Sequence, residues 1–230
     1  MLIGPQNLTL HVNHVRSRIR SAAIAAGRDP ESITLVAVTK AKTAESVRLA
    51  ATAGVTDFGE NYLQEAQAKM DQLADLQLKW HFIGSIQSNK TRVIAERFDW
   101  VQSVDRFSVA RRLSEQRPFH APPLNVCIQV ALVPEPTKGG VAPEELATLA
   151  AAIAALPRLK LRGLMCVPPP QTNAAAEHAV FASLRMALED LNAGGLKLDT
   201  LSMGMSGDFE SAIAEGATLI RIGTALFGAR

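Results

Sequence analysis

One lysine in this sequence stands where a lysine can do chemistry. Lys40 closes the run TLVAVT (34–39) and keeps step with Val36 and Val38, so the two-residue alternation of a strand turns all three to one face. If that face points into a barrel mouth, the amine loses part of its hydration. The neutral form is then favoured, and a neutral amine is the nucleophile that forms an imine with an aldehyde. Position alone allows a second reading, a solvated loop cation. Arg221 poses a related question. It shares a face with Leu219 and Gly223 in TLIRIG (218–223), an apolar run in which an unpaired charge is expensive. It needs a partner, either a carboxylate in a structural salt bridge or a pyridine nitrogen accepting its hydrogen bond. Fixed positive charge there also favours a neutral amine on any lysine nearby.

Two further segments suit an anion. Met205-Ser206-Gly207 follows TLSMG (200–204), and Thr224-Ala225 follows Gly223, each placing small or hydroxyl residues beside backbone N–H groups. Either alone is ordinary turn chemistry, but both at one end of a fold make a shared phosphate site. FGENYLQE (58–65) and WHFIGSIQSNK (80–90) each run from a strand into a helix, which brings Asn61, His81 and Ser85 to the border of the same mouth. His81 reads equally as a satisfied core histidine or as a ligand contact. Trp80 and Trp100 read as packing residues. Cys127 and Cys166 lie inside the apolar runs NVCIQVAL and LRGLMCV without metal-ligand spacing, so they read as buried thiols of a reducing compartment.

The elements that must position these residues follow from periodicity. Leu8, Val12, Val15 and Ile19 recur at spacings of three and four, predicting an N-terminal amphipathic helix over 6–26 that stops at Gly27. Strands are then expected at 34–39, 56–59, 80–84, 99–104, 125–132, 161–167, 200–204 and 218–223. Helical patterns fall between them, near 44–53, 61–75, 87–97, 106–116, 143–156, 174–192 and 208–215. Eight strands alternating with helices predict a closed (β/α)8 TIM barrel, with a doubly wound open sheet as the alternative. No Gly-x-Gly-x-x-Gly turn follows the first strand, which weakens the dinucleotide-binding form of that alternative. No low-complexity linker divides the chain, so residues 1–230 are expected to form one domain.

Composition narrows the function further. Twenty-four basic and 22 acidic residues are interspersed, the formal charge is +2 and aromatics are few, so nucleic-acid binding is not expected. No window approaches the roughly 20 consecutive apolar residues of a membrane span. The N-terminus shows no secretion signal, and a cytoplasmic protein is expected.

With these motifs in view, the sequence resembles the pyridoxal phosphate homeostasis protein family, which is related to the barrel domain of alanine racemase. The resemblance runs along the whole chain through LVAVTKAK, FGENYLQEAQAK, WHFIGSIQSNK, Lys138-Gly139-Gly140, LRGLMCVPPP, LSMGMSGDFESAIAEGAT and RIGTALFGAR. It implies that Lys40 holds pyridoxal 5'-phosphate as an internal Schiff base, with Lys42 as a basic neighbour. It further implies that Ser206, Gly223 and Thr224 bind the phosphate, that Arg221 faces the pyridine nitrogen, and that Asn61 and His81 line the pocket. Where the family pattern has an acidic residue after Gly-Met-Ser, this chain has Gly207, so a backbone N–H is what carries over there. The implied function is to hold the cofactor and take part in its intracellular homeostasis, with apo pyridoxal-phosphate-dependent enzymes as a partner class. A weak amino-acid racemase, transaminase or lyase is the alternative. A racemase uses a further C-terminal domain and a tyrosine acid/base, whereas the eighth strand closes this sequence and Tyr62 is its single tyrosine. An arginine at the pyridine nitrogen also makes the cofactor a weaker electron sink, and a carrier is expected rather than a catalyst.

Overall fold

A computed structural model of the chain describes residues 5–133 and 139–228. Lys138 of the Lys-Gly-Gly stretch and the last two residues of RIGTALFGAR lie outside them. The strands are β1 (Thr34–Val38), β2 (Asp57–Glu60), β3 (Lys79–Phe82), β4 (Trp100–Val104), β5 (Leu124–Gln129), β6 (Leu159–Met165), β7 (Thr200–Ser202) and β8 (Leu219–Ile222). All neighbouring pairs are parallel, and β8 pairs with β1 to close the barrel. The helices are α1 (Pro5–Ala25), α2 (Ala44–Thr52), α3 (Leu63–Gln72), α4 (Thr91–Arg97), α5 (Phe107–Gln116), α6 (Pro143–Ala154), α7 (Ala174–Ala193), α8 (Phe209–Ala214) and α9 (Thr224–Phe227). The expected (β/α)8 barrel with its additional N-terminal helix is therefore present.

Most elements end within a residue or two of their sequence signals. The expected helix at 61–75 starts later, at Leu63, because Asn61 and Tyr62 continue the chain's exit from β2 and Tyr62 is extended. The run 125–132 ends as a strand at Gln129, beyond which Val130 bridges to Val141. α9 carries too few residues for a periodic signal and was not expected. Helix starts carry caps where the sequence offers them: Thr43 Oγ1 accepts from the Ser46 N–H, and Asn173 Oδ1 accepts from the Ala176 N–H.

Two packed regions divide the apolar residues. The larger lies between the barrel wall and the helices, where Leu8, Val12, Val15, Ile19 and Ala23 of α1 join outward residues such as Ala37, Phe58 and Ile220. α1 covers α8, α9 and α2, and so clasps the seam where the barrel closes. Inside the barrel, Val36, Cys127, Met165 and Leu219 are buried apart from that cluster. The interior also holds the polar side chains of Asp57, His81, Gln102, Ser202 and Arg221. Burial pushes the thiols of Cys127 and Cys166 up to about 12 each, consistent with inert structural cysteines. Among the described residues, no helix is long and apolar enough to cross a membrane.

Candidate functional site

The C-terminal ends of β1, β7 and β8 meet at one mouth. Val38 lies against Gly223, where an added Cβ would come within 3.5 Å of the Val38 carbonyl oxygen, and Lys40 stands two residues beyond Val38. The loop after β7 reaches the same place. Ser206 Oγ accepts a hydrogen bond from the Ala225 N–H at 3.2 Å, joining it to the first turn of α9. Its shape is set by Asp208, whose carboxylate takes the Met205 N–H at 2.6 Å, and by Gly204 at a φ of +93°. Gly207 is exposed, with open space where a side chain would stand. The structure thus brings together Lys40, Ser206, Gly207, Gly223 and Thr224.

The turn carrying Lys40 is tied down on both sides. The Thr39 carbonyl accepts from Lys69 Nζ at 2.7 Å, and the Thr39 hydroxyl donates to Glu60 at 2.6 Å. Ala41 has a φ of +58°, a left-handed conformation unusual for alanine, and its N–H is taken by the Glu65 carboxylate at 2.9 Å. Lys42 donates to the Phe227 carbonyl at 3.1 Å and is committed to the end of α9. The Lys40 amine, by contrast, makes no hydrogen bond or ion pair among the described residues. It is half-buried.

Behind this turn, between the barrel wall and α3, lies a buried ion pair. Lys69 Nζ is 2.6 Å from Glu60 Oε1, with side-chain exposures of 6% and 0%, and 3.7 Å from Glu65. The other oxygen of Glu60 is buried with no hydrogen-bond partner among the described residues. Burial accordingly pushes the Glu60 carboxyl above its ordinary range, despite hydrogen bonds from Lys69 and Thr39 that pull it down. Nothing in the local sequence marks Glu60, Glu65 and Lys69 as supports for Lys40, because the support arises only when α3 packs beside β1.

Arg221 is 4% exposed and faces inward from β8. No carboxylate pairs with it among the described residues. Its Nη1 donates to Ser202 Oγ at 2.6 Å and its Nη2 to the Cys166 carbonyl at 2.7 Å, leaving part of its five-donor fork available. The structural salt bridge that position alone allowed is therefore not what satisfies it. Burial lowers its pKa, as expected for a cation removed from water.

Asn61 sits on the loop after β2, and its carboxamide oxygen is buried with no hydrogen-bond partner among the described residues. Its backbone is pressed against Gly84, where an added Cβ would lie 2.1 Å from the Asn61 carbonyl oxygen. Ser85 and Tyr62 border a neighbouring cleft of about 420 Å³ that Asn61 also lines, and both are exposed. His81 lies deeper. It is fully buried, stacked on Trp100 at 5.5 Å, and both its ring nitrogens are engaged, one by Asp57 and one by Gln102. Both His81 ring nitrogens are thus satisfied within the barrel, and the ring is joined to Arg221 through Gln102 and Ser202.

These groups fit a phosphorylated pyridine aldehyde. Among the described residues, the amine at the mouth is unpartnered and the buried guanidinium has no carboxylate, and the loops after β7 and β8 meet at the same end of the barrel. The family described as "Alanine racemase, N-terminal domain" matches residues 10–230. A pyridoxal phosphate homeostasis protein of Pseudomonas aeruginosa is 62% identical over 220 residues, 96% of this chain and 94% of the relative. One of Escherichia coli is 49% identical over 94% of each chain. The structure of PipY from Synechococcus elongatus, described with PLP bound, superposes with a TM-score of 0.86 at 39% identity, covering 96% of this chain and all of that one. On fold and sequence together, the chain belongs to the pyridoxal phosphate homeostasis protein family, within the wider group built on the alanine racemase N-terminal domain.

Proposed function

We propose that this protein binds pyridoxal 5'-phosphate at the barrel mouth, with Lys40 as the amine that captures its aldehyde, and takes part in the homeostasis of that cofactor. The observation that carries the reading is the turn from Thr39 to Lys42. Thr39, Ala41 and Lys42 are each tied by hydrogen bonds, while the Lys40 amine has no partner among the described residues. When bound, the cofactor supplies an aldehyde that an amine takes up reversibly and a conjugated ring that serves as an electron sink. The Ser206 hydroxyl and the backbone N–H groups of Gly207, Gly223 and Thr224 are suited to its phosphate. Asn61 offers a free carboxamide oxygen at the rim. Arg221 offers N–H donors toward the ring nitrogen and keeps its own proton, which disfavours protonation there and weakens the electron sink. Holding and release, rather than turnover of an amino acid, is what these residues support.

Borohydride reduction of the protein with pyridoxal phosphate, followed by peptide mass mapping, tests the assignment. The adduct is expected on Lys40 and is expected to vanish in Lys40→Ala; an undiminished adduct in that variant would move the site to Lys42 or another lysine. Apo-enzymes dependent on the cofactor are the partner class. Transfer from the loaded protein to such an enzyme is expected to persist when a scavenger removes free cofactor, and abolition of transfer by the scavenger would refute direct handover.

A further inference from the structure

Barrels of this kind are ordinarily filled with branched aliphatic side chains. Here five polar ones form a single unbroken chain across the interior. Arg221 Nη1 donates to Ser202 Oγ at 2.6 Å, and the Ser202 hydroxyl donates to Gln102 Oε1 at 2.7 Å. Gln102 Nε2 lies 2.8 Å from His81 Nδ1, and His81 Nε2 lies 3.0 Å from Asp57 Oδ1. The members come from β8, β7, β4, β3 and β2, and all are buried.

The orientation of the Gln102 carboxamide, with Oε1 toward Ser202 and Nε2 toward His81, and the chemistry of the two ends together set the direction of every link. Arginine only donates and an ionised carboxylate only accepts. Ser202 therefore accepts from Arg221 and gives its own proton to the Gln102 carbonyl. The Gln102 amide is left facing His81, whose Nδ1 must be the bare nitrogen and whose Nε2 carries the proton given to Asp57. Burial acts to raise the Asp57 carboxyl, but hydrogen bonds from His81 and Thr56 outweigh it and hold it below its ordinary range, in the accepting form. The counter-charge of the guanidinium thus stands on the far side of the barrel, reached through a file of aligned dipoles. A carboxylate directly beside Arg221 would have occupied the N–H groups that a ring nitrogen needs.

We propose that Ser202, Gln102, His81 and Asp57 are positioning residues for Arg221, a relay that aims its free N–H groups at the cofactor's ring nitrogen while keeping its counter-charge away from it. The inference rests on the reading of the mouth as a pyridoxal phosphate site. Its test compares affinities for pyridoxal phosphate and for the 1-deaza analogue, which carries C–H in place of the ring nitrogen, by titration of the ligand-free protein. A charged donor aimed at that nitrogen is expected to give the wild type a preference for pyridoxal phosphate of about tenfold or more. Ser202→Ala is expected to erase most of that preference and Ser202→Thr to restore it. Gln102→Leu, which does not touch Arg221, is expected to erase it as well. Equal weakening of both ligands in Ser202→Ala would mean a merely structural role and overturn the proposal. Nitrogen-15 NMR of the ligand-free wild type decides the relay without any variant: a neutral His81 with the proton on Nε2 is expected, and a proton on Nδ1 would overturn it. A wild type that fails to bind pyridoxal phosphate at all would sink the reading of the mouth and the positioning role with it, whereas tight binding of pyridoxal phosphate with no preference over the 1-deaza analogue would overturn the relay alone.

Discussion

Lys40 is supported by groups that do not touch a ligand, and the strength of that support can be measured. Lys69 pairs with Glu60 in a site that is almost closed to water, and its ammonium also holds the Thr39 carbonyl. Removing one member of a buried pair leaves the other charged and unpaired, which typically costs about 3–5 kcal/mol. Lys69→Met is therefore expected to lower unfolding free energy in urea by about that much, and to weaken pyridoxal phosphate binding by freeing the Thr39–Ala41 turn. Adding Glu60→Gln to the same variant removes the stranded charge and is expected to recover part of the stability; a double variant less stable than Lys69→Met would contradict this account. The proposed cofactor lysine was legible as a candidate from strand parity, since Val36, Val38 and Lys40 share a face, and the family resemblance separated it from a solvated loop cation. Its support was not legible. Lys69 reads in sequence as one more solvated lysine on a helix, and only the packing of α3 against the end of β1 gives it a buried role. Asp57, Gln102 and Ser202 carried a readable signal that went unused: they are polar residues on the inward parity of short strands, as His81 and Arg221 are.

At the scale of elements, the site depends on loops from different strands meeting at one end of the barrel. The sequence placed these loops correctly because strand ends were marked by Gly, Ser and Thr, whereas α9 is too short to leave a periodic trace. If the loops after β7 and β8 hold the phosphate, pyridoxal should bind far more weakly than pyridoxal phosphate. Several charge-assisted hydrogen bonds at about 1.5–3 kcal/mol each imply a loss of at least roughly 100-fold. Ser206→Ala is expected to weaken pyridoxal phosphate while leaving pyridoxal unchanged, and equal affinities of the wild type for the two ligands would reject the phosphate cradle. The loops after β2 and β3 are coupled differently, through contact of backbone on backbone. A Cβ at residue 84 would overlap the Asn61 carbonyl oxygen, and no flexible side chain can yield there. Gly84→Ala is expected to destabilise the protein by about 1–3 kcal/mol or more and to displace Asn61 from the rim. Unchanged stability in that variant would mean that the two loops are not in contact.

For the whole molecule, the polar file across the barrel makes fold stability depend on one carboxylate far from the mouth. Two effects compete at Asp57. Burial disfavours its charged form, while hydrogen bonds from His81 and Thr56, together with the positive charge of Lys79, favour it. The balance puts the folded-state carboxyl below its ordinary 3.8. In the folded protein the group then binds its proton more weakly than in the unfolded chain. Its contribution to stability is whole above the unfolded value and drains away as pH falls through the folded one. The stability advantage of the wild type over Asp57→Asn, measured by urea unfolding at successive pH values, is therefore expected to be level near neutrality and to close on acidification below 3.8. Asparagine can still accept from His81 Nε2, so the variant separates loss of charge from loss of the hydrogen bond. An advantage that widens on acidification would show that burial outweighs the hydrogen bonds at Asp57, and the counter-charge of Arg221 would then have to be sought elsewhere.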